Sequence, residues 1–437
     1  MTKKITLLLF FITIIGYAQQ IDSINYKSHF TTAEFQLGFT QSANRGFPET
    51  KLQKSLSLHF GKYQNKNNQE WAYRLRYPKT GLSFAITDYG NKEFIGYSAS
   101  VMPFIEFGVL KKIIKNLNMN IGFGASYFTK SYNGYIFSIN NPINNNNRAI
   151  STKVTWSIKS FLYYDIIKNK QANWRIGAGF IHHSNGHTKL PNQGLNSFAF
   201  SVARQTSYNF NNNKKLKNEN PEPIIDCEKS SQYYFTIRSG AGLNFLSEYF
   251  NDRKGVYTLA PSCGIILNKT FKIGVGFYYR FYEHYNNYIE NTESSMLEEY
   301  AYFKENSFKY SSSIGAFISF ELLLGHVGLE VDLGYNIYKP FYELDWKLNG
   351  FYWDFENEDG TIETTFIERD ITKEYYLKHA ILARAGLKYY LFNNDKNPKS
   401  NFFIAMNINA NFGQADFSEL SLGYVHRFGF KSRKLSR

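Results

Sequence analysis

The chain has 437 residues, and 50 Lys and Arg against 36 Asp and Glu give it a formal net charge of +14. Aromatic residues make up 18% of the chain, yet the mean hydropathy is only −0.40. Many aromatic residues at low mean hydropathy are typical of short alternating strands with lipid on one side and water on the other. The composition therefore argues against an ordinary secreted enzyme. After the N-terminus, no stretch approaches the roughly 18 apolar residues of a membrane-spanning helix.

The first residues predict export. Two lysines precede an apolar run over residues 5–15, and a Gly-Tyr-Ala sequence at 16–18 has small residues at the −3 and −1 positions of a signal-peptidase site. Residues 1–18 are therefore predicted to be a cleavable signal peptide, and 19–437 the mature protein. An uncleaved membrane anchor would need about 20 apolar residues.

Export limits the partners that the sequence allows. Loss of the two signal-peptide lysines leaves a charge of +12, which favours an anionic partner such as phosphorylated lipid and not nucleic acid, because the chain is exported. Cys227 and Cys263 would lie where a disulfide persists, and no function is assigned to them.

Segments of alternating polarity recur along the chain, separated by turn residues, and predict β-strands. Most are close to the roughly 9–11 residues that a tilted strand needs to cross a bilayer. In chain order the segments are Ala33–Phe39, Leu56–Tyr63, Trp71–Tyr77, Leu82–Tyr89, Ile95–Phe107, Met119–Phe128, Val154–Tyr164, Trp174–His183, Asn196–Gln205, Tyr233–Leu243, Tyr257–Leu267, Phe271–Tyr282, Ser312–Leu323, Val327–Tyr338, His379–Leu391, Phe402–Asn411 and Phe417–Phe430. They predict an all-β protein, a closed antiparallel transmembrane β-barrel of the outer-membrane type with about 14–16 strands.

Loop lengths predict the orientation, because such barrels have short periplasmic turns, long external loops and a periplasmic C-terminus. Counting back from the C-terminus makes Lys339–Leu377 and Glu283–Ser311 external, and the same alternation makes Ser184–Leu195 external. A short helix is predicted around Met296–Lys304. Asn209–Ser231 falls on the periplasmic side, and the sequence gives no reason for its length.

The last predicted strand ends in aromatic residues. It resembles the C-terminal strand by which outer-membrane barrels are recognised for assembly, although a basic tail at 431–437 follows it. We therefore expect the barrel-assembly machinery and outer-membrane lipids as partners of an exported protein in a Gram-negative outer membrane.

The segment that carries chemistry is Trp174–Arg204. Side chains alternate between the two faces of a strand, so His182 and Ser184 continue the apolar row of one strand, and Asn196 belongs to the apolar row of the next. All three are expected to face lipid near one end of a hairpin. Polar groups facing hydrocarbon are costly. A serine hydrolase gives them a reason, since it needs a Ser nucleophile, a His base and a third group that orients the imidazole.

The same residues resemble the outer-membrane lipid A 3-O-deacylases, the PagL-type or acyloxyacyl hydrolases. The signature of that family is His-x-Ser-Asn, then Pro-Asn-x-Gly and a carboxylate; this chain has His182-His183-Ser184-Asn185-Gly186 and then Pro191-Asn192-Gln193-Gly194-Leu195-Asn196. The match is close over about thirty residues. Family members are often smaller eight-stranded barrels, so most of this chain lies outside the resemblance.

The resemblance implies that an ester-linked 3-hydroxyacyl chain of lipid A, in lipopolysaccharide, is hydrolysed without a cofactor or a metal. It makes Ser184 the nucleophile and His182 the general base, and it makes Asn185 and the Gly186 backbone N–H candidates to hold the oxyanion. Asn196 stands where the family has its carboxylate. In a serine protease the comparable Asp→Asn change lowers turnover roughly 10⁴-fold. A slow site, another acid such as Glu106, and lost activity all stay open.

Other interpretations compete with the esterase. Asn185-Gly186 and Pro191–Gly194 are also ordinary turn signals, so a polar hairpin tip is one alternative. His182, His183 and His187 suggest a metal site, but their spacing puts them on different faces and in a loop. The main rival is a non-enzymatic barrel with a vestigial motif, either a lipid-binding protein or a pore, since about 16 strands can enclose water. A purely structural surface protein has no feature in its favour.

Overall fold

The computed structural model describes residues 28–43, 47–110, 113–132, 147–168, 172–208, 228–247, 250, 252–356 and 361–433. Within these ranges, sixteen of the eighteen strands form two closed antiparallel barrels of eight strands each. The first barrel comprises β1 His29–Gln41, β2 Gln53–Tyr63, β3 Lys79–Asp88, β4 Tyr97–Gly108, β5 Leu117–Phe128, β6 Val154–Lys168, β7 Asn173–Ser184 and β8 Leu195–Tyr208. The second comprises β9 Lys229–Asn244, β10 Lys254–Leu267, β11 Phe271–Tyr282, β12 Ser312–Leu324, β13 Val327–Tyr338, β16 Ile381–Tyr390, β17 Ser400–Asn411 and β18 Gln414–Arg433. A separate hairpin, β14 Phe351–Glu356 with β15 Ile362–Ile367, lies in the loop after β13.

Each barrel closes on its own first strand. β1 pairs with β2 and also with β8, and β9 pairs with β10 and also with β18. Closure leaves no exposed strand edge, which is how transmembrane sheets satisfy their backbone. The predicted all-β, closed antiparallel barrel is confirmed. The predicted strand number is also found, but it is divided between two barrels, because alternation along a strand does not specify which strand the first one pairs with.

The segment Asn209–Ser231 contains the connection between the two barrels, residues 209–228, and the first three residues of β9. An even number of strands brings the chain back to the end at which β1 starts, so β8 finishes there. β9 begins at that same end, because it leads to Phe245, which contacts His187 of the β7–β8 loop at the other end. The length that seemed anomalous for a periplasmic turn therefore belongs to a link between barrels. Residues 209–227 lie outside the described residues.

The connections differ between the two ends. The end where β7 joins β8, here called the loop end, has the long connections 129–153, 283–311 and 339–380. The opposite turn end has short turns such as 268–270 and 325–326, with 64–78 as a longer exception. This distribution matches the predicted alternation of external loops and periplasmic turns.

Charged pairs fill both lumens. In the first barrel, Glu34 lies 2.9 Å from the Lys159 amine and 2.8 Å from the His59 ring. In the second, Arg384 lies 3.0 Å from Asp332, and other ion pairs join Lys388 and Lys272 to Glu321 at 3.0 and 2.9 Å. An eight-stranded barrel is just wide enough for its side chains to fill it. The outer walls carry exposed aromatic and aliphatic rows, including Phe35, Leu37, Ile176, Phe198, Phe200, Tyr233, Phe235, Ile237, Leu420 and Leu422.

The predicted strand at Trp71–Tyr77 is wrong. The chain forms helix α1, Glu70–Arg74, whose first and last side chains are joined by a 2.8 Å ion pair one helical turn apart. Trp71 and Ala72 are buried against Ile105 of the first barrel and next to leucines of the second barrel. The apolar residues that mimic strand alternation therefore cover the junction of the barrels at the turn end.

The remaining helices lie in connections. They are α2 Glu283–Asn291, α3 Ser295–Glu298, α4 Ser307–Tyr310, α5 Tyr342–Leu348 and α6 Lys373–Ala380, with 3-10 turns at Gln64–Lys66, Ala301–Glu305 and Asn394–Lys396. The helix predicted around Met296–Lys304 is present as α3 and the turn that follows it. No helix in the described ranges is long and apolar enough to cross a membrane.

Two predictions fall wholly or partly outside the described residues. The signal peptide at 1–18 does so entirely, as does Cys227. Cys263 lies exposed on β10.

Candidate active site

The site lies at the loop end of the hairpin formed by β7 and β8. On β7 the outward row runs through Trp174, Ile176 and Ala178, which are exposed, and continues to His182. On β8 the outward row runs from Asn196 through the exposed Phe198. The predicted parity is therefore what the structure shows: the imidazole and the amide belong to the outer wall of the barrel.

His182 and Asn196 are directly opposite each other in the β7–β8 ladder. The His182 Nδ1 lies 2.7 Å from the Asn196 Oδ1. An amide oxygen is only an acceptor, so Nδ1 carries the proton and donates it. The Nε2 of a neutral His182 is then left with a lone pair, which is the form that a general base requires.

Ser184 ends β7, two residues beyond His182 on the same face, and is only 3% exposed. Its Oγ accepts hydrogen bonds from the Gly186 backbone N–H at 3.1 Å and from the Asn192 Nδ2 at 2.9 Å. The Asn192 Oδ1 in turn accepts from the Asn185 backbone N–H at 3.2 Å. Two donors therefore converge on the hydroxyl of the predicted nucleophile.

Gly194 separates the imidazole from Ser184. A Cβ at Gly194 would lie 3.2 Å from His182 Cε1 and 3.8 Å from Ser184 Cβ, so those two atoms are at most 7.0 Å apart. The same Cβ would lie 2.9 Å from the His183 carbonyl oxygen, and the φ of Gly194 is +70°. Glycine is required here both by the left-handed backbone and by the space between the His182 and Ser184 side chains.

Asn185, a predicted oxyanion ligand, has its amide turned into the loop. The Nδ2 donates to the Ser151 Oγ at 2.8 Å and to the Lys189 carbonyl at 2.7 Å, and the Oδ1 accepts from the Thr188 N–H at 3.2 Å. Both amide hydrogens are therefore used to shape the loop. The second predicted ligand, the Gly186 N–H, does point at Ser184.

Glu106, considered as a substitute acid, lies in the lumen of the first barrel. It forms a two-pronged ion pair with Arg175, at 2.9 and 3.0 Å, and a further ion pair with Lys79 at 2.8 Å. It is 4% exposed and belongs to the inward face, whereas His182 belongs to the outward face. Glu106 therefore does not orient this imidazole.

The three histidines of the motif point to three different places. His183 faces the lumen, where its Nδ1 lies 2.9 Å from the Ser157 Oγ. His187, in the loop, has its Nε2 3.0 Å from the Phe245 carbonyl of the second barrel. Their divergence matches the expectation from spacing.

A shallow apolar groove of about 500 Å³ lies on the outer wall of the same barrel. Its lining includes outward residues of β6, β7 and β8, among them Leu162, Ile176, Ala178, Phe200 and Val202. Ala178 precedes His182 by four residues, which is about 13 Å along a strand. The groove therefore lies along the outward faces of β7 and β8, the same faces on which His182 and Asn196 lie.

The family match falls on the first barrel. Residues 34–205 match the family model described as lipid A 3-O-deacylase (PagL). The resemblance predicted from the motif is thereby confirmed for the first barrel. The match ends within β8, so the second barrel lies outside it.

Solved structures give weaker likenesses. The outer-membrane enzyme PagL is 14% identical, with a TM-score of 0.28, and the alignment covers 39% of this chain and 97% of that one. An outer-membrane channel from Pseudomonas putida F1 is 9% identical with a TM-score of 0.17, covering 94% and 100%. CdiB from Acinetobacter baumannii is 7% identical with a TM-score of 0.16, covering 92% and 60%. None of the curated proteins matches this sequence.

The residue that sequence reasoning missed is Asn192. It stands in the Pro-Asn-x-Gly turn at 191–194, a part of the motif in which the sequence predicts no role for this side chain. A turn signal explains an Asn through its own backbone, so nothing in the spacing indicated that this amide reaches back eight positions to Ser184.

Proposed function

We propose that this protein is an outer-membrane serine esterase that removes an ester-linked acyl chain, the 3-O-linked 3-hydroxyacyl chain, from lipid A. One observation carries the proposal: in the barrel that matches the family, the outward row of β7 holds His182, with its tautomer fixed by Asn196, and Ser184, with two donors on its hydroxyl.

Nucleophilic attack begins with rotation of the Ser184 hydroxyl about Cα–Cβ, towards His182. In free enzymes such catalytic hydrogen bonds are often long and tighten only with substrate. The Oγ passes its proton to His182 Nε2 and bonds to the ester carbonyl carbon, whose π electrons move onto the carbonyl oxygen. Collapse breaks the bond to the sugar oxygen, which takes the proton from His182. Water repeats the sequence on the acyl-serine and releases the free fatty acid.

The oxyanion would be held by the donors that now hold the hydroxyl. When the Ser184 Oγ rotates away, the Gly186 N–H and the Asn192 Nδ2 still point at the position it leaves, and a carbonyl oxygen can occupy it. Donors at about 2.7–3.1 Å from the developing charge are what an oxyanion hole requires. We therefore assign this role to Asn192 together with Gly186, and to Asn185 only as a support of the loop.

The substrate assignment rests on position. His182 and Asn196 lie on the outer wall, above an apolar groove that suits an acyl chain. A water-soluble ester has no access to such a wall in a membrane, whereas a membrane lipid approaches it laterally. The family match supports lipid A as that lipid. We further propose export by the signal peptide, insertion by the barrel-assembly machinery and an external loop end.

The test is release of 3-hydroxy fatty acid from purified lipopolysaccharide by the purified full chain. We expect release by the wild type and none by Ser184→Ala. Ser201→Ala is the matched control, because Ser201 lies on the adjacent strand with its hydroxyl inside the barrel and without a hydrogen-bond partner among the described atoms. Equal release by wild type and Ser184→Ala would refute the esterase.

A further inference from the structure

The second barrel contacts the loop that shapes the candidate site. Ser418, on β18, donates a hydrogen bond from its Oγ to the Gly186 carbonyl at 3.1 Å. The same Oγ accepts from the Trp156 Nε1 at 3.2 Å. Trp156 is the cross-strand partner of Ser184 in the β6–β7 ladder. One hydroxyl of the second barrel therefore joins the two residues that flank the nucleophile.

A second bond between the barrels follows at the next residue of the loop. The His187 Nε2 donates to the Phe245 carbonyl at 3.0 Å. Gly186 and His187 both have positive φ, +63° and +65°. Such a conformation is costly for a residue with a side chain and persists where surrounding contacts hold it. At this loop, the second barrel provides two of those contacts.

The fit around Gly186 is close on the side of the second barrel. A Cβ at this position would lie 2.1 Å from the Ser418 Oγ and 3.3 Å from the Trp156 ring. Gly186 also supplies the N–H that lies 3.1 Å from the Ser184 Oγ. The N–H and the carbonyl of Gly186 belong to the two peptide planes that meet at its Cα, so a bond that holds the carbonyl limits the φ and ψ angles that set the direction of the N–H.

We propose that the second barrel completes the active site, with Ser418 as a positioning residue that holds the Gly186 N–H on the nucleophile. This inference rests on the proposed esterase function. It gives the second barrel, which lies outside the family match, a role in the reaction: the loop that a single barrel would hold by itself is here held from a neighbouring barrel.

The experiment compares the full-length wild type with Ser418→Ala and His187→Ala. Ser239→Ala is the matched control, because Ser239 is exposed on the outer wall of β9 in the same barrel. Two rates are measured: release of fatty acid from lipopolysaccharide, resolved into kcat and KM, and the rate constant for covalent labelling of Ser184 by a fluorophosphonate. The folded fraction is measured from the mobility of unheated protein on SDS gels.

Loss of one neutral hydrogen bond lowers a rate constant that depends on it by roughly three- to tenfold. We expect Ser418→Ala and His187→Ala to lower kcat and the labelling rate constant by about that factor, with KM and the final labelled fraction unchanged, while Ser239→Ala matches the wild type.

Three results would overturn the inference. An active, Ser184-dependent wild type whose Ser418→Ala variant has the same kcat and labelling rate would remove the role of Ser418 and leave the esterase intact. A smaller labelled fraction at an unchanged labelling rate constant would show that the contact between Ser418 and Gly186 contributes to folding and not to the reaction. A wild type no more active than Ser184→Ala would remove the esterase, and the positioning role with it.

Discussion

Asn196 is the residue at which the chain departs from the family it resembles. A slow site, another acid such as Glu106 and lost activity were open from the sequence, and the structure excludes Glu106, because it is paired with Arg175 inside the barrel. The Asn196 Oδ1 lies 2.7 Å from the His182 Nδ1 and fixes the tautomer of the imidazole by accepting its proton in a hydrogen bond. It lacks the charge that would stabilise an imidazolium. The strand parity of these residues was predictable from alternation, whereas the bond itself depends on the register of two strands.

Asn196→Asp is therefore expected to raise turnover. The two side chains have the same shape, so the bond to His182 Nδ1 is kept and a negative charge is added beside the imidazolium of the transition state. From the effect of the reverse change in a serine protease, we expect a rise in kcat of about tenfold or more. Fatty-acid release from lipopolysaccharide measures it. Asn173→Asp, at the opposite end of β7 from the site, is the control.

A folded Asn196→Asp protein with unchanged or lower kcat would show that residue 196 does not act on the imidazole during the reaction. The hydrogen bond between them would then be part of the outer wall only.

The hairpin of β7 and β8 was located from its alternation, as was every other barrel strand. The failure at Trp71–Tyr77 has a physical reason: a short helix that buries apolar residues between two barrels produces the same pattern over seven residues as a strand. The loop of the hairpin was beyond sequence reasoning for a different reason. The direction in which Asn185 and Asn192 point depends on which backbone groups the folded loop leaves unpaired.

Asn192→Asp tests the loop geometry. Aspartate keeps the shape and the acceptor for the Asn185 N–H, but it loses the Nδ2 donor that lies 2.9 Å from Ser184 Oγ. We expect kcat to fall by about 10²–10³, the usual cost of losing one oxyanion donor. Steady-state hydrolysis of lipopolysaccharide measures it, with Gln193→Ala as the neighbouring control, since Gln193 contacts Arg148 through its backbone N–H.

If Asn192→Asp retains wild-type kcat, the amide of the native Asn192 stabilises the loop and takes no part in the reaction. The oxyanion would then have to be held by the Gly186 N–H without it.

The chain forms two narrow closed barrels instead of one wide barrel, and the width of each barrel determines whether its lumen is filled by side chains. All sixteen barrel strands were expected from the sequence, but the point of closure was not, because every strand shows the same alternation and only the long segment 209–231 marks the boundary. With eight strands in each barrel, side chains fill the lumen, as the ion pairs of Glu34 and Arg384 show. The pore interpretation depended on the width of a single barrel.

Reconstituted protein is accordingly expected to conduct no steady ion current. Single-channel recording in planar bilayers tests this, with a porin reconstituted in parallel as the positive control. Unitary conductance steps in every insertion of folded protein would show that the lumen opens, and the rival function would regain its basis.

The central claim is that Ser184 on the outer wall of the first barrel cleaves an acyl ester of lipid A. Its most direct test is mass spectrometry of lipid A, recovered from lipopolysaccharide vesicles into which the wild type or Ser184→Ala has been inserted. We expect wild-type vesicles to yield lipid A lighter by a single 3-hydroxyacyl group, and Ser184→Ala vesicles to yield intact lipid A. Intact lipid A from both, with the barrel folded in each, would contradict it.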